Sequence, residues 1–267
     1  MRSTMRLLAL LVTAVLAAAC GSDDSTGSST TSAGAEPAGL VADGTLTVCS
    51  DTPYEPFEFK DDAGLDTGYD IDLLRAIADT ADLKLAVIDL PFDGILGSLE
   101  AGDCDVVASA VTITDERAQQ VDFTEPYFDA DQSLLIKTDQ AAAITALADL
   151  EGKTVGVQTG TTGETYANEN ATGAEVKSFE DSDGLFAALE AGDIVAILQD
   201  LPVNGYRSTQ DDTVTVIETY PTEEQYGFAV KKGNTSLLQF LDGGLTTLRG
   251  DGTFDAIYAT YFGDADG

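Results

Sequence analysis

The 267 residues contain no histidine. That absence excludes the Ser-His-Asp and Cys-His arrangements of nucleophilic catalysis, and any zinc site built on imidazole. Basic residues are scarce: 13 Lys plus Arg stand against 47 Asp plus Glu, for a net charge of −34. A body so acidic repels nucleic acid and anionic lipid, so no nucleic-acid partner is expected and the acids read as a solvated surface. There is no P-loop, so no bound nucleotide is expected. No metal or other cofactor is expected either. The apolar stretch from Leu7 to Ala19 is too short to cross a bilayer, which takes about 20 residues.

What that stretch does form is an export signal. Arg2 and Arg6 precede it, and small residues lead from it into Cys20. The expectation is a signal peptide over residues 1–19, followed by acylation of Cys20. Loss of the two arginines would take the net charge from −34 to −36. Residues 20–43 then form the lipidated Cys and a tether, because GSDDSTGSSTTSAGAEPAG has almost no large apolar side chain to bury. A lipid on Cys20 would hold a soluble body at the outer face of the cytoplasmic membrane, or in the periplasm.

The body starts near Gly44 and is long enough for one large or two small domains. Two further cysteines lie in it. Cys49 ends one strand-like run (TLTVC) and Cys104 opens another (CDVVAS). Export permits a disulfide, but parallel neighbouring strands would place the two sulfurs at opposite ends. Two free, buried thiols are therefore expected.

Strand-like and helix-like runs alternate: TLTVC, YDIDLLRAIADTAD, LKLAVIDL, FDGILGSLEAG, DVVASAVTI. This order predicts a mostly parallel sheet with helices on its faces. KTVGVQTG, TTGETYANEN, AEVKSF, SDGLFAALEAG and DIVAILQD repeat it. The segments DGILGSLEAGD (93–103) and DGLFAALEAGD (183–193) agree at seven of eleven positions. Each reads as a helix whose C-terminal glycine leads into a buried strand. Two α/β lobes of like design are expected, residues 44–138 plus 225–267 and residues 139–224, with crossings near 138 and 224.

Ligands of open parallel sheets bind beyond the carboxyl ends of the strands. Those ends carry Asp51, Tyr54 and Phe57; Ser109, Ala110 and Thr112, then Arg117; Gln158, Gly160, Thr161 and Thr162; and Gln199 and Asp200. Phe92 precedes the helix near 95. Arg117 is a fork of donors suited to a carboxylate, and the TGTTGE turn entering a helix also favours an anion. Asp200 and the Thr112 hydroxyl offer acceptors for an ammonium, and Tyr54 and Phe92 offer flat walls. An α-amino acid fits that set. A surface Arg117 paired with Asp115 or Glu116, and Asp200 as a helix cap, are the plain alternatives. Tyr127 and Phe128 are expected to pack.

The stretches DTPYEPFEF, GYDIDLLRAIA, FDGILGSLEAGDCDVVASAVTITDER, VDFTEPYF and GKTVGVQTGTTGETY together resemble the family 3 solute-binding proteins of amino-acid ABC transporters, over almost all of residues 44–262. The resemblance implies a two-lobed periplasmic-binding-protein-like fold of type II. The two lobes would close over a polar amino acid and deliver it to permease subunits. It implies that Arg117 holds the ligand carboxylate with the backbone N–H groups of Thr112 and Thr162. Asp200, the Ala110 carbonyl and Thr112 would hold the ammonium. Tyr54 and Phe92 would sandwich the side chain, with Asp51, Ser109, Gln158 and Thr161 completing its pocket. Many relatives carry Ser or Gly where this chain has Ala110, which removes a possible hydroxyl contact. A carboxylate at Asp51 favours a polar or basic side chain, with glutamine, arginine and lysine foremost. The protein is expected to be a monomer and a binder. Two other readings are open: a cleft enzyme of the same fold acting as a dehydratase on a cyclic amino-acid precursor, and the amino-acid sensor of a receptor.

Overall fold

The computed structural model describes residues 37–263. The expected signal peptide, Cys20 and most of the tether lie outside the described residues. In chain order the elements are β1 (Thr45–Ser50), β2 (Phe59–Lys60), β3 (Asp66–Thr67), α1 (Tyr69–Asp79), β4 (Lys84–Asp89), α2 (Gly97–Ala101), β5 (Val106–Val107), α3 (Arg117–Gln120), β6 (Val121–Phe123) and β7 (Phe128–Lys137). There follow β8 (Thr154–Gln158), α4 (Thr162–Asn170), β9 (Glu175–Phe179), α5 (Ser182–Ala191), β10 (Ala196–Asp200), α6 (Leu201–Gln210), β11 (Val214–Tyr226), β12 (Ala229–Lys231), α7 (Thr235–Asp251) and α8 (Thr253–Phe262).

Two five-stranded sheets result, ordered β4-β1-β5-β12-β6 and β11-β7-β10-β8-β9. In the first, β4, β1, β5 and β6 run one way and β12 runs against them. In the second, β9, β8, β10 and β11 run one way and β7 runs against them. The two sheets share one design: a parallel trio joined by helical crossovers, then a reversed strand. Each reversed strand is the first that the chain adds on reaching that sheet. It arrives from the other sheet without a crossover helix, so its direction is not bound to the parallel set. Each sheet with its helices forms a lobe.

Helical spacing of apolar residues explains α1, which buries Ile71, Leu74, Ile77 and Ala78 completely. The repeated segments end alike, at Gly102 (φ 79°) and Gly192 (φ 83°), both left-handed C-caps that turn the chain into a strand. Their beginnings differ. α5 starts at Ser182, with the Asp181 side chain accepting the Gly184 N–H at 2.7 Å, whereas α2 keeps only five residues. Alternate residues of each strand serve opposite faces: Leu46 and Val48 join the core beneath α1 and α7, and Cys49 joins the one with Ile95 and Leu99. In the second sheet Leu134 and Ile136 face one core and Leu135 the other.

Three expectations need correction. Cys49 and Cys104 are not free thiols; they form a disulfide with a Cα–Cα distance of 5.8 Å. Cys104 lies ahead of the strand, which begins only at Val106, on the chain that returns from α2 across the sheet face. It therefore sits over Cys49 rather than at the far end of a paired strand. The first crossing is not near 138. Residues 128–137, assigned from sequence to the first lobe, form β7, which pairs with both β10 and β11. The crossing thus lies between Phe123 and Phe128, and the return between Tyr226 and Ala229. A buried run such as SLLIK is equally at home in either sheet, so local pattern could not place it. Finally, residues 37–43 are not free tether. Asp105 accepts the N–H groups of Val41 (2.7 Å) and Thr47 (2.8 Å), and Leu40 packs on the first core.

Candidate functional site

Both sheets present the carboxyl ends of their parallel strands to one cleft. β1 leads into Asp51 and Tyr54, and β5 into Ser109, Ala110 and Thr112. β8 ends at Gln158 before the turn into α4, and β10 ends at Asp200. Eleven residues singled out in the sequence line one tight cavity of about 10 Å³: Asp51, Tyr54, Phe92, Ser109, Ala110, Thr112, Arg117, Gln158, Thr161, Thr162 and Asp200. That is room for about one water, so the two lobes are closed on one another around these side chains.

Arg117 is the first residue of α3 and is half-buried. Its guanidinium donates to the Thr112 carbonyl at 2.8 Å and, across the cleft, to the Gly160 carbonyl at 3.1 Å. It also lies over the Phe92 ring, 5.3 Å from the centroid. Its contacts thus lie in the cleft rather than with Asp115 or Glu116. Burial lowers its pKa, against the opposing pull of Asp200 and Glu224.

Asp200 occupies the N-cap position of α6, yet its side chain makes no cap hydrogen bond. Instead its carboxylate accepts from the Tyr54 hydroxyl at 3.0 Å, the Tyr226 hydroxyl at 2.5 Å and the Gln132 amide at 2.5 Å. Burial, then the charge of Glu224, pushes its pKa up to about 6, and the three donors oppose the shift. Asp51 is likewise raised to about 6, mainly by burial and further by Asp89 and Asp181. Its partner across the cleft is the Gln158 amide at 2.5 Å.

Some expected residues are occupied otherwise. The Ser109 hydroxyl donates to buried Glu58 at 2.8 Å and accepts the Asp51 N–H at 3.1 Å. Thr161 caps α4 by accepting the Glu164 N–H at 3.0 Å. Ala110 sits at φ 45°, where a side chain is unfavourable, and its N–H donates to Asp70 at 2.9 Å. Tyr127 and Phe128 do pack: Tyr127 stacks on Phe228 at 4.2 Å, and Phe128 on Tyr226 at 5.7 Å.

Sequence reasoning missed five residues around this cavity. Gln132, Tyr226 and Glu224 join the Asp200 network from the crossing strands β7 and β11. Beneath the floor, Glu58 and Asp70 are fully buried carboxyls: burial, then the charge of Asp70, raises Glu58, and burial raises Asp70 to about 7 against the Ala110 N–H and the Tyr127 hydroxyl. The one available signal was an acidic pair, Glu223 and Glu224, at an expected crossing. Among the described residues no group of three or more His, Cys, Asp or Glu is arranged to hold a metal.

The model of the bacterial extracellular solute-binding proteins, family 3, matches residues 46–264. The L-cystine-binding protein TcyJ of Escherichia coli strain K12 is 33% identical over 221 residues, covering 82% of this chain and 83% of that protein. An ancestral arginine-binding protein, solved with glutamine bound, is 40% identical with a TM-score of 0.79, over 84% of this chain and all (100%) of that one. An ancestral amino-acid-binding protein described as a precursor of cyclohexadienyl dehydratase is 38% identical with a TM-score of 0.78, over 82% of this chain and 96% of that one.

Proposed function

This chain belongs to the bacterial extracellular solute-binding proteins, family 3, and we propose that it captures a polar or basic L-amino acid and delivers it to ABC-transporter permease subunits. The observation that carries this reading is the make-up of the cavity. One guanidinium, two carboxylates and two aromatic rings, drawn from both lobes, line a single cavity. Arg117 takes the ligand carboxylate with the N–H groups of Thr112 and Thr162. Asp200, the Ala110 carbonyl and the Thr112 hydroxyl take the ammonium. Tyr54 and Phe92 flank the side chain. Asp51 meets its end, with Gln158, Ser109 and Thr161 around it.

Asp51 lies in the field of Asp89 and Asp181, which favours a cation or an amide donor there over another acid. The solved relative named for arginine and holding glutamine supports that range. Ligand contacts from both lobes stabilise the closed form over the open one, and that difference shifts the population. Acylation of Cys20 would keep the protein at the membrane beside its permease. A second reading, a cleft enzyme, has one observation in its favour: Asp51 and Asp200 both face the cavity with pKa values of about 6, suited to proton transfer.

The test is a thermal-shift panel on ligand-stripped protein with the twenty amino acids and L-cystine. Saturation at a thousand times Kd stabilises a folded-state binder by roughly 4 kcal/mol. A large shift confined to one or a few polar or basic amino acids is expected. No shift with any, or a shift with acidic or apolar ones alone, overturns the reading. Consumption of the bound amino acid would favour the enzyme.

A further inference from the structure

Glu224 does not line the amino-acid cavity, yet the contributions of both lobes converge on it. It lies on β11, two residues before that strand ends at Tyr226. Its Oε2 accepts from the Thr112 hydroxyl and from the Thr162 hydroxyl, each at 2.7 Å. Its Oε1 accepts from the Gln132 amide and the Thr222 hydroxyl, each at 3.0 Å. Thr112 follows β5 of the first lobe, and Thr162 opens α4 of the second. Gln132 also donates to Asp200.

Thr112 and Thr162 are the two residues whose backbone N–H groups are proposed to hold the ligand carboxylate. Their hydroxyls are thus tied to one external carboxylate. Bonds from neutral donors to an ionised acceptor are stronger than neutral ones. Opening the cleft separates Thr112 from Thr162, so one carboxylate oxygen cannot keep both.

We propose that Glu224 is an interlobe clasp: a positioning residue that joins Thr112 to Thr162 and so raises the population of the closed, binding-competent form before any ligand arrives. Apparent affinity scales with the fraction of protein already competent, so the clasp strengthens binding without touching the ligand. The affinity consequence rests on the amino-acid reading above; the ligand-free consequence does not.

The experiment measures interlobe distances by pulsed dipolar spectroscopy. Labels go on exposed sites in the two lobes, Lys84→Cys and Thr209→Cys. Cys20→Ser is added so that only those thiols react. In ligand-free protein, Glu224→Ala is expected to shift the distribution to longer distances. By calorimetry, Kd for the amino acid that the parent protein binds should rise about tenfold, with little change in ligand-free Tm. If Glu224→Ala does not fold, Glu224→Asp replaces it, because the shorter acid cannot reach both hydroxyls. Ligand-free distances identical to the parent's overturn the clasp, and so does a drop in Tm without a change in distance. If the parent binds no amino acid while the variant opens, the clasp stands and the amino-acid reading fails.

Discussion

The Tyr54 hydroxyl donates to the Asp200 carboxylate at 3.0 Å across the cleft, between residues 146 apart in the chain. Burial and the adjacent Asp200 hold the Tyr54 pKa well above its ordinary value, so the phenol stays a donor. An aromatic wall expected from sequence is therefore also a polar partner of the proposed ammonium site. Together with Tyr226 and Gln132 it keeps Asp200 charged against the cost of burial.

Arg117→Ala should abolish most ligand binding while leaving the fold intact. Removing one partner of a buried charge pair costs about 2–5 kcal/mol, or roughly thirtyfold or more in Kd. Arg117→Lys should recover only part, because an ammonium cannot reproduce the planar fork. Calorimetry with each variant, beside its circular dichroism, checks this. Unchanged Kd in Arg117→Ala removes the clamp.

Acidification should strengthen the fold and weaken binding. Asp51 and Asp200 have folded-state pKa values of about 6 against an ordinary 3.8. Between those values the folded state holds protons that the unfolded chain has released, so stability rises as pH falls. From pH 7 to 5 each carboxyl contributes about 1 kcal/mol. Asp70 and Glu58, both raised, act in the same direction. Ammonium binding requires ionised Asp200, so affinity should fall roughly tenfold over that range. Tyr54→Phe removes a donor that lowers the Asp200 pKa and should move the loss of affinity to higher pH. Melting curves and titrations at pH 5, 6 and 7 should therefore diverge in sign.

Replacing both cysteines, Cys49→Ala with Cys104→Ala, should lower the melting temperature without changing ligand choice. The bridge closes a loop with a sequence separation of 55. Loop entropy puts its contribution at about 4 kcal/mol, worth roughly 10 °C for a domain of this size. Scanning calorimetry of the double variant checks this, and mass analysis of the parent should show a bridged pair.

Gly68→Ala should destabilise more than a surface change would. Gly68 has φ 120°, and an added Cβ would meet the Phe57 carbonyl oxygen at 2.2 Å. Both are backbone features that cannot swing aside. A loss of about 2–3 kcal/mol is expected, read as a fall in the chemical-denaturation midpoint. Gly94→Ala has left-handed φ but open space around it, so it should cost less.

The alternation of strands and helices, the two-lobe design and the residues that line the cavity were all legible in the chain. Each rests on local information. Helical spacing is written in Ile71, Leu74 and Ile77, and the C-cap glycines Gly102 and Gly192 mark where each helix turns into a strand. Once parallel strands are expected, their carboxyl ends name Asp51, Thr112, Gln158 and Asp200 without coordinates. What sequence left open was every relationship set by partners distant along the chain. The sheet that receives β7, the bond between Cys49 and Cys104, and the convergence of Gln132, Tyr226 and Glu224 on Asp200, Thr112 and Thr162 all arise from strand pairing and from the path of the chain across a sheet face. A buried strand carries the same apolar pattern wherever it docks, and a polar side chain carries no mark of the partner it will meet. Local pattern therefore determined the elements and the ends that bear the chemistry, and only tertiary packing decided which of those ends are joined.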